Sequence, residues 1–237
     1  FDKLKQEIIE LENKYGFLNN KNSPSKIVGF KPSKNFKKIK HKVPMLSLAN
    51  AFTKEDLINF EKKIINFLDK NKNYEIEYSA EPKIDGISAS LFYKDGKFVT
   101  GLSRGDGNEG EDITENLKTI KDIPAFIGKK NFPSEIDIRG EVFIQNSDFK
   151  KIANKFANPR NAASGSLRQK NPNETKKIPL KFIAYTFGYE KGLKVYEQNE
   201  YLKKLSDWGF KINPHNKLIK GIKNLMLNYY ELEKKRN

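Results

Sequence analysis

The sequence predicts an α+β protein whose sheets are mainly antiparallel, and three observations support this class. Short segments of alternating apolar and polar residues, typical of strands, fill the middle of the chain. The tripeptide Lys94-Asp95-Gly96 separates two such segments and favours a β-hairpin. Helical periodicity is concentrated before residue 70 and after residue 196. Hairpins therefore outnumber strand–helix–strand units, which favours antiparallel over parallel sheets.

Two amphipathic helices separated by a polar segment are predicted before residue 70. The chain begins within the first helix, which has no capping residue before it. Residues 19–42 are rich in Lys, Asn and Ser and contain Pro24 and Pro32, which predicts a loop or linker. Thr53 is the predicted N-cap of a helix near 54–69. The apolar stripes are Phe1, Leu4, Ile8 and Leu11 in the first helix and, on the buried side of the second, Leu57, Phe60, Ile64, Phe67 and Leu68.

The middle of the chain is predicted to consist of strands. Residues 74–80 alternate, and a strand that continues to 85 would place Glu81, Lys83 and Asp85 on one face. Further strands are predicted at 88–93, 97–103, 136–144 and 181–187.

Two helices are predicted near the end of the chain. The first lies near 197–208 and is ended by Gly209. The second lies near 222–235, and its apolar side consists of Ile222, Leu225, Met226, Tyr229 and Leu232.

The composition favours a basic protein that binds a polyanion. The chain has 45 Lys and Arg against 30 Asp and Glu, a net charge of +15, which favours a nucleic-acid partner over a mere Lys- and Asn-rich proteome bias. It has no Cys, and His41 and His215 are far apart, which disfavours a disulfide framework, a metal site or a His-based triad within these residues. With no 18-residue apolar run and no signal peptide, we expect a soluble cytoplasmic protein.

The glycine-rich segment 105–110 matches two familiar patterns only superficially. It fits G-x-G-x-x-G, but a dinucleotide-binding turn requires a strand–helix–strand unit, whereas these glycines follow a hairpin. A calcium loop would need Asp or Asn at Gly110 and glycine at Glu111. A tight turn followed by acidic helix-start residues is the simpler interpretation.

One lysine has neighbours that suit covalent chemistry. In residues 80–86, AEPKIDG, Lys83 lies between two acidic residues, and Gly86 would let the chain bend close to a ligand. This pattern is compatible with a lysine that attacks phosphorus, although an exposed lysine at a strand edge is the simpler alternative.

Other polar residues can be assembled around this lysine. Arg104, at the end of a hairpin strand, could reach a phosphate or ribose, and Glu141 could accept hydrogen bonds from ribose hydroxyls. Tyr185 could stack on a base and Glu81 could contact an adenine edge. The alternatives are a surface ion pair between Arg104 and Glu141 and a core position for Tyr185.

Residues 156–169, FANPRNAASGSLRQ, are the other unusual stretch. Arg160 and Arg168 lie among small residues, which suits close approach to phosphates. A loop with solvated arginines is the alternative.

Five segments together resemble the bacterial NAD-dependent DNA ligases over nearly the whole chain. They are residues 44–52, 81–86, 103–112, 139–143 and 156–169. The resemblance implies the covalent nucleotidyltransferase fold of the ligase adenylation domain, in which antiparallel sheets flanked by helices surround a nucleotide cleft.

The resemblance also implies roles for individual residues. Lys83 would take AMP from NAD, Asp85 would support catalysis, and AMP would then pass to a DNA 5′-phosphate before the nick is sealed. An ordinary lysine is almost fully protonated near neutral pH, so Lys83 would need burial, a cation such as Arg104, or Mg²⁺ held by substrate phosphates. The residues implied to bind cofactor are Asp2, Ser47, Leu48, Glu81, Arg104, Glu141 and Tyr185, and those implied to bind phosphate or DNA are Arg160 and Arg168.

The chain departs from the family pattern at both ends. We expect residues 1–35 to be the remnant of a helical domain that binds nicotinamide mononucleotide, with Asp2 as its surviving contact, and 36–237 to be an adenylation domain without its last strands. The family's zinc site would lie beyond these residues. We therefore expect a monomeric fragment that binds AMP moderately or weakly and does not seal nicked duplex DNA alone.

Two alternatives remain. An ATP-dependent ligase or capping enzyme would share the lysine segment but is not expected to carry residues 105–112 and 156–169 in this form. A non-catalytic, basic nucleic-acid-binding module would keep the fold without the chemistry.

Overall fold

The computed structural model describes residues 2–18, 23, 36–71 and 73–236. Its helices are α1 (Asp2–Lys14), α2 (Lys54–Phe67), α3 (Thr114–Leu117), α4 (Asn146–Phe149), α5 (Pro159–Leu167), α6 (Pro172–Lys176), α7 (Gln198–Asp207) and α8 (Ile222–Arg236), with a 3-10 helix at Gly16–Leu18. Its strands are β1 (Lys38–Lys40), β2 (Glu77–Ala80), β3 (Ile87–Lys94), β4 (Lys97–Ser103), β5 (Glu109–Glu111), β6 (Glu135–Phe143), β7 (Lys181–Lys191) and β8 (Lys217–Lys220). Every described strand pair is antiparallel, which confirms the predicted α+β class.

A four-stranded sheet in the order β4-β3-β6-β7 forms the centre of the molecule. The predicted hairpin joins β3 to β4, and Asp95 and Gly96 both have positive φ, 48° and 77°, as a two-residue hairpin turn requires. One face of the sheet packs into the core, which includes Ala89, Leu91 and Tyr93 of β3, Ile136, Ile138 and Val142 of β6, and Phe182 and Ala184 of β7. The opposite face carries the polar residues Ser88, Ser90, Asp137, Arg139 and Glu141.

Two smaller sheets were not predicted. β1 pairs with β5, so the predicted polar loop 19–42 is wrong at its end; residues 19–22 and 24–35 lie outside the described part. β2 pairs with β8 and ends at Ala80. The strand expected to reach 85 is therefore too long, and Lys83 follows β2 in an irregular segment. A three- or four-residue strand has too little alternation to be recognised without its partner.

Helix α2 begins where the sequence predicts, but it buries a different face. Thr53 and Asp56 form a complete capping box at its start. Ile65 is buried, whereas Phe60 and Phe67, both expected to be buried, are 52% and 89% exposed, and Leu68 is also exposed. Among the described residues, the main contacts of α2 are with α8.

The last two helices match their predicted positions. α7 is followed by Gly209, whose φ of 95° ends the helix as expected. On the predicted apolar side of α8, Tyr229 is exposed and the other four residues are half-buried, whereas Asn228 is buried. No helix among the described residues is both long and apolar enough to cross a membrane.

The segment 156–169 is largely helical rather than a loop. Asn158 caps α5, since its side chain accepts a hydrogen bond from the amide of Asn161, and Pro159 occupies the first helical position. Ala162, Ala163 and Leu167 are buried in the core. The small residues thus let α5 pack closely while Arg160 stays exposed.

Candidate active site

The predicted nucleophile lies on a segment held close to the central sheet. Lys83 is exposed in the irregular segment between β2 and β3. At the end of this segment, a Cβ on Gly86 would collide with the carbonyl oxygen of Val142 and lie 2.9 Å from Cγ of Glu141. Glycine is therefore required for the lysine segment to approach β6 so closely.

Glu141 is the buried carboxylate at the centre of the predicted site. It is 7% exposed on β6, and the hydroxyl of Ser88, its register partner on β3, donates to its Oε2 at 2.9 Å. Burial raises the pKa of Glu141, while the hydrogen bond from Ser88 and the positive charges of Lys83, Arg160 and Arg104 oppose that rise. Because Glu141 is buried and forms no ion pair with Arg104 among the described residues, the alternative of a surface pair between these two residues is wrong.

An ion pair links the lysine segment to helix α5. Nη1 of Arg160 lies 2.9 Å from Oδ1 of Asp85, and the two side chains are 47% and 80% exposed. An exposed pair of this kind adds little to folding stability. Both groups remain accessible to a ligand.

Arg168 forms an ion pair with a buried residue and is not the fully solvated arginine of the loop alternative. Its Nε lies 2.8 Å from Oε2 of Glu111, whose side chain is fully buried at the end of β5. This pair holds the end of α5 against β5, and it engages one side of the guanidinium. The predicted contact of Arg168 with phosphate stays a prediction.

Tyr185 is presented by a β-bulge. Between β6 and β7, Arg139 pairs with Thr186 and Gly140 with Ala184, so Tyr185 is the extra residue without a partner in β6. Burial raises the pKa of Tyr185 to about 12, together with the negative charge of Glu141. Tyr185 is half-buried beside Glu141. The alternative, a position in the core, is therefore wrong.

Gln198, at the start of α7, joins two residues expected to contact the base. Its Nε2 donates to Oε1 of Glu81 at 2.9 Å and to the backbone oxygen of Tyr185 at 2.7 Å. The hydroxyl of Ser79 also donates to Oε1 of Glu81, at 2.9 Å. The carboxylate of Glu81 is thus oriented by two donors.

Arg139 attaches residues 43–44 to the polar face of the sheet. It donates to the backbone oxygens of Val43 and, at 3.1 Å, of Pro44. Its charge is balanced by Asp137, 3.3 Å away, which also accepts a hydrogen bond from Ser90. A charged side chain on a buried sheet face therefore fixes the backbone that leads to Ser47 and Leu48.

The same stretch is fastened at two further points. Nζ of Lys42 lies 2.9 Å from Glu135 and over the rings of Phe92 and Tyr189, at 4.0 and 4.2 Å from their centroids. The amide of Met45 donates to the oxygen of Gly107 at 2.8 Å. Residues 42–45 therefore connect the central sheet to the glycine-rich turn.

Arg104 immediately precedes the glycine-rich turn of residues 105–110. The turn lies between β4 and β5 and does not open a helix. This confirms the prediction that it is not a dinucleotide-binding turn. His41 is buried beneath it, with Nε2 3.2 Å from the backbone oxygen of Arg104. Burial lowers the pKa of His41, which favours the neutral ring. The side chain of Arg104 has no hydrogen-bond or ion-pair partner among the described residues, so it can bind a ligand.

Three predicted residues are not brought to this cluster by described contacts. Ser47 and Leu48 lie on an exposed stretch after Met45, and the side chain of Leu48 is 78% exposed. Within the described ranges, neither side chain forms a hydrogen bond or ion pair with the rest of the site. The side chain of Asp2 lies outside the described part of the chain.

A cavity elsewhere is a weaker candidate for chemistry. It has a volume of about 430 Å³, includes Asp122, Lys181 and Lys211 in its lining, and contains none of the predicted site residues. Asp122 already pairs with Lys211 at 2.7 Å and accepts the amide of Phe182. Lys181 pairs with Asp148 at 3.8 Å, so the charged groups of this cavity have partners, whereas Lys83 and Arg104 have no ion-pair partner in the described part of the chain.

The described residues contain no group of three or more His, Cys, Asp or Glu side chains that could hold a metal ion. The exposed carboxylate of Asp85 is a suitable single ligand for Mg²⁺, which proteins often bind through one or two carboxylates together with substrate phosphates. The site thus fits a metal carried by a substrate better than a metal held by the protein alone.

The sequence did not identify Ser79, Ser88, Arg139 or Gln198 as site residues. Ser88 and Arg139 carry a recognisable signal, because each alternates with apolar neighbours on a strand next to a predicted site residue. Gln198 carries none, since its partners are 117 and 13 residues away in the chain.

Comparison with known proteins identifies the family. The family described as NAD-dependent DNA ligase adenylation domain matches residues 33–237. DNA ligase from Pelagibacter ubique (strain HTCC1062) is 72% identical over 236 residues, covering 100% of this chain and 35% of that protein. DNA ligases from Mesorhizobium japonicum and Parvibaculum lavamentivorans are 42% and 43% identical over 245 and 244 residues, again covering 100% of this chain but 33% and 34% of those proteins.

The chain thus spans about a third of the length of the curated relatives it matches. The match favours the NAD-dependent over the ATP-dependent ligases, in agreement with residues 105–112 and 156–169. Since the matched region includes nearly all the described residues, the chain belongs to the NAD-dependent DNA ligase adenylation domain family.

Proposed function

We propose that this chain carries the adenylation site of an NAD-dependent DNA ligase, with Lys83 as the nucleophile. Nζ of Lys83 attacks the phosphorus of the adenylyl group of NAD, a P–N bond forms, and the P–O bond to nicotinamide mononucleotide breaks. The AMP then moves to a DNA 5′-phosphate, and a 3′-hydroxyl displaces it to seal the nick. Duplex DNA as substrate would place the protein at the nucleoid.

One observation carries this proposal. The lysine segment packs against the buried Glu141 at Gly86 and pairs with Arg160 through Asp85, and the positive charges of Lys83, Arg104 and Arg160 act on the carboxylate of Glu141. A nucleotide at this point would bring its phosphate to the cations and its ribose hydroxyls to the carboxylate. Tyr185 and Glu81, joined by Gln198, would contact the base.

The remaining predicted residues have supporting roles in this scheme. Because Lys83 is exposed, its activation depends on neighbouring cations or on metal-bound phosphates rather than on burial. Asp85 would orient the lysine segment or contact Mg²⁺, which would neutralise charge on the phosphates. Ser47 and Leu48 would close over the nucleotide, and Arg168 and Arg160 would contact phosphates. Residues 1–35, with Asp2, would belong to the part that binds the nicotinamide half.

Nucleotide binding is tested by calorimetric titration of the 237-residue chain with AMP, repeated on Glu141→Ala. We expect binding that the substitution weakens at least about 10-fold, as loss of a charged hydrogen-bond acceptor implies. Equal affinity in the two proteins would contradict the placement of the ribose at Glu141.

The covalent step is tested by labelling with NAD that is radioactive in its adenine half. The protein to be labelled is a chimera in which this chain replaces the matching third of the Pelagibacter ubique DNA ligase, so that it has the full length of that relative. Lys83→Ala should abolish the acid-labile label, whereas Lys97→Ala, an exposed hairpin lysine, should not. Label retained in Lys83→Ala would exclude Lys83 as the nucleophile.

A non-catalytic basic module is the second candidate, favoured by the net charge of +15. It predicts steeply salt-dependent DNA binding without AMP binding or labelling. The AMP titration and the labelling experiment above separate it from the enzyme.

A further inference from the structure

The two carboxylate oxygens of Glu81 differ in their hydrogen bonds. Ser79 and Gln198 both donate to Oε1, each at 2.9 Å. Within the described part of the chain no donor reaches Oε2. A carboxylate oxygen accepts more than one hydrogen bond, so Oε2 is the acceptor that remains for a ligand.

The amide of Gln198 has only one chemically sensible orientation. Both of its partners, Oε1 of Glu81 and the backbone oxygen of Tyr185, are acceptors. The side-chain nitrogen must therefore face both, because the amide oxygen would be repelled by either. Gln198 is the first residue of α7.

The β-bulge supplies the second half of this arrangement. Tyr185 has no partner in β6, and its backbone oxygen accepts the hydrogen bond from Gln198. One amide thus sets the position of the ring expected to stack on the base and of the carboxylate expected to contact its edge. A change at Gln198 would disturb both together.

We propose that Gln198 is a positioning residue that makes this site selective for a purine with an amino group at position 6. The inference rests on the proposed function, which places a nucleotide here. Adenine presents a donor at position 6, whereas hypoxanthine and guanine present a carbonyl oxygen. With Oε1 occupied and Glu81 held in place, Oε2 accepts from the amino group and repels the carbonyl.

A site built around a fixed acceptor rejects an analogue that lacks the donor more strongly than a flexible site does. Without Gln198, Glu81 can rotate away, and the penalty for a carbonyl at position 6 falls. We therefore expect the preference for AMP over IMP to drop at least about 10-fold, because a hydrogen bond to a charged group is lost.

The test is calorimetric titration of the 237-residue chain with AMP and with IMP. The variants are Gln198→Ala, which removes the amide, and Gln198→Glu, which keeps its size but replaces the donor with an acceptor. Glutamate is favourable at the first position of a helix, so this variant keeps α7 intact if the alanine variant does not fold. Asn199→Ala is the matched control, because it removes an amide from the same helical turn without a described bond to Glu81.

We expect the preference for AMP to fall in both Gln198 variants and to stay unchanged in Asn199→Ala. An unchanged preference in either folded Gln198 variant, or equal binding of AMP and IMP by the unmodified chain, overturns the inference while leaving the proposed function intact. No binding of AMP by the unmodified chain overturns both. A fall of the same size in the control would assign the effect to α7 as a whole and would also reject a role for Gln198.

Discussion

Replacing Arg139 with methionine should destabilise the protein strongly, although Arg139 lies on the polar face of the sheet. The guanidinium donates to the backbone oxygens of Val43 and Pro44 and lies 3.3 Å from Asp137. The two charged side chains are only 9% and 6% exposed. Methionine fills much of the same volume but leaves the carboxylate of Asp137 buried with Ser90 as its remaining described donor.

The magnitude follows from this burial. Removing one partner of a buried ion pair costs about 3–5 kcal/mol, because the other charge stays desolvated and uncompensated. For a urea dependence of about 2 kcal/mol per molar, the unfolding midpoint should fall by about 1.5–2.5 M. The amide of Met45, bonded to Gly107, should also exchange faster, since residues 43–44 lose their attachment to the sheet.

Urea unfolding of two further variants makes the prediction specific. Lys118→Met breaks an ion pair of 2.7 Å to Glu115 in which the side chains are 45% and 67% exposed, and it should cost at most about 1 kcal/mol. Adding Asp137→Leu to Arg139→Met should restore most of the lost stability, because no unpaired charge remains. A loss in Arg139→Met no larger than in Lys118→Met, or no recovery in the double variant, would contradict a stabilising buried ion pair between Arg139 and Asp137.

Two more predictions concern neighbouring positions on β6. Gly140→Ala should destabilise the fold by about 1–3 kcal/mol, because its methyl group would collide with the ring of Phe182 and the backbone oxygen of Ile183. Gly165→Ala, in a helix with open space around it, should instead be neutral or stabilising. Thermal unfolding measures both variants, and equal effects would contradict the packing argument. Burial raises the pKa of Glu141 above its ordinary 4.5, so the folded chain binds this proton more tightly than the unfolded chain does. The contribution of Glu141 to stability therefore falls as pH rises from about 4.5 through the raised value, and it is constant above that. Glu141→Gln removes this loss, so its urea midpoint relative to the unmodified chain should rise between about pH 4 and about pH 7, and parallel pH profiles would count against a buried, ionising Glu141.

The candidate site could be predicted only in part from the sequence. Alternation along residues 136–144 indicated that Glu141 shares a face with Asp137 and Arg139. It did not indicate that this face is buried, because alternation alone cannot tell solvent from a covering segment. Residues 42–45 cover part of the face, and they are about 95 residues away from Arg139 in the chain.

Local chemistry determined the elements that the sequence predicted well. The hairpin at Asp95 and Gly96, the capping box of Thr53 and the end of α7 at Gly209 all depend on φ angles or hydrogen bonds within a few residues. Such preferences operate before any tertiary contact forms. The segments that marked the family are likewise continuous in the chain.

Other features depend on partners that are distant in the chain. The β1–β5 and β2–β8 pairs, the bulge that presents Tyr185 and the exposure of Phe67 follow from what each segment meets in space. The link from Gln198 to Glu81 joins residues 117 positions apart and has no local signature. The sequence thus defined which residue types were available to the candidate site, and the packing of the sheets defined which of them lie together. Burial and hydrogen-bond geometry are set by neighbours in space rather than by neighbours in the chain.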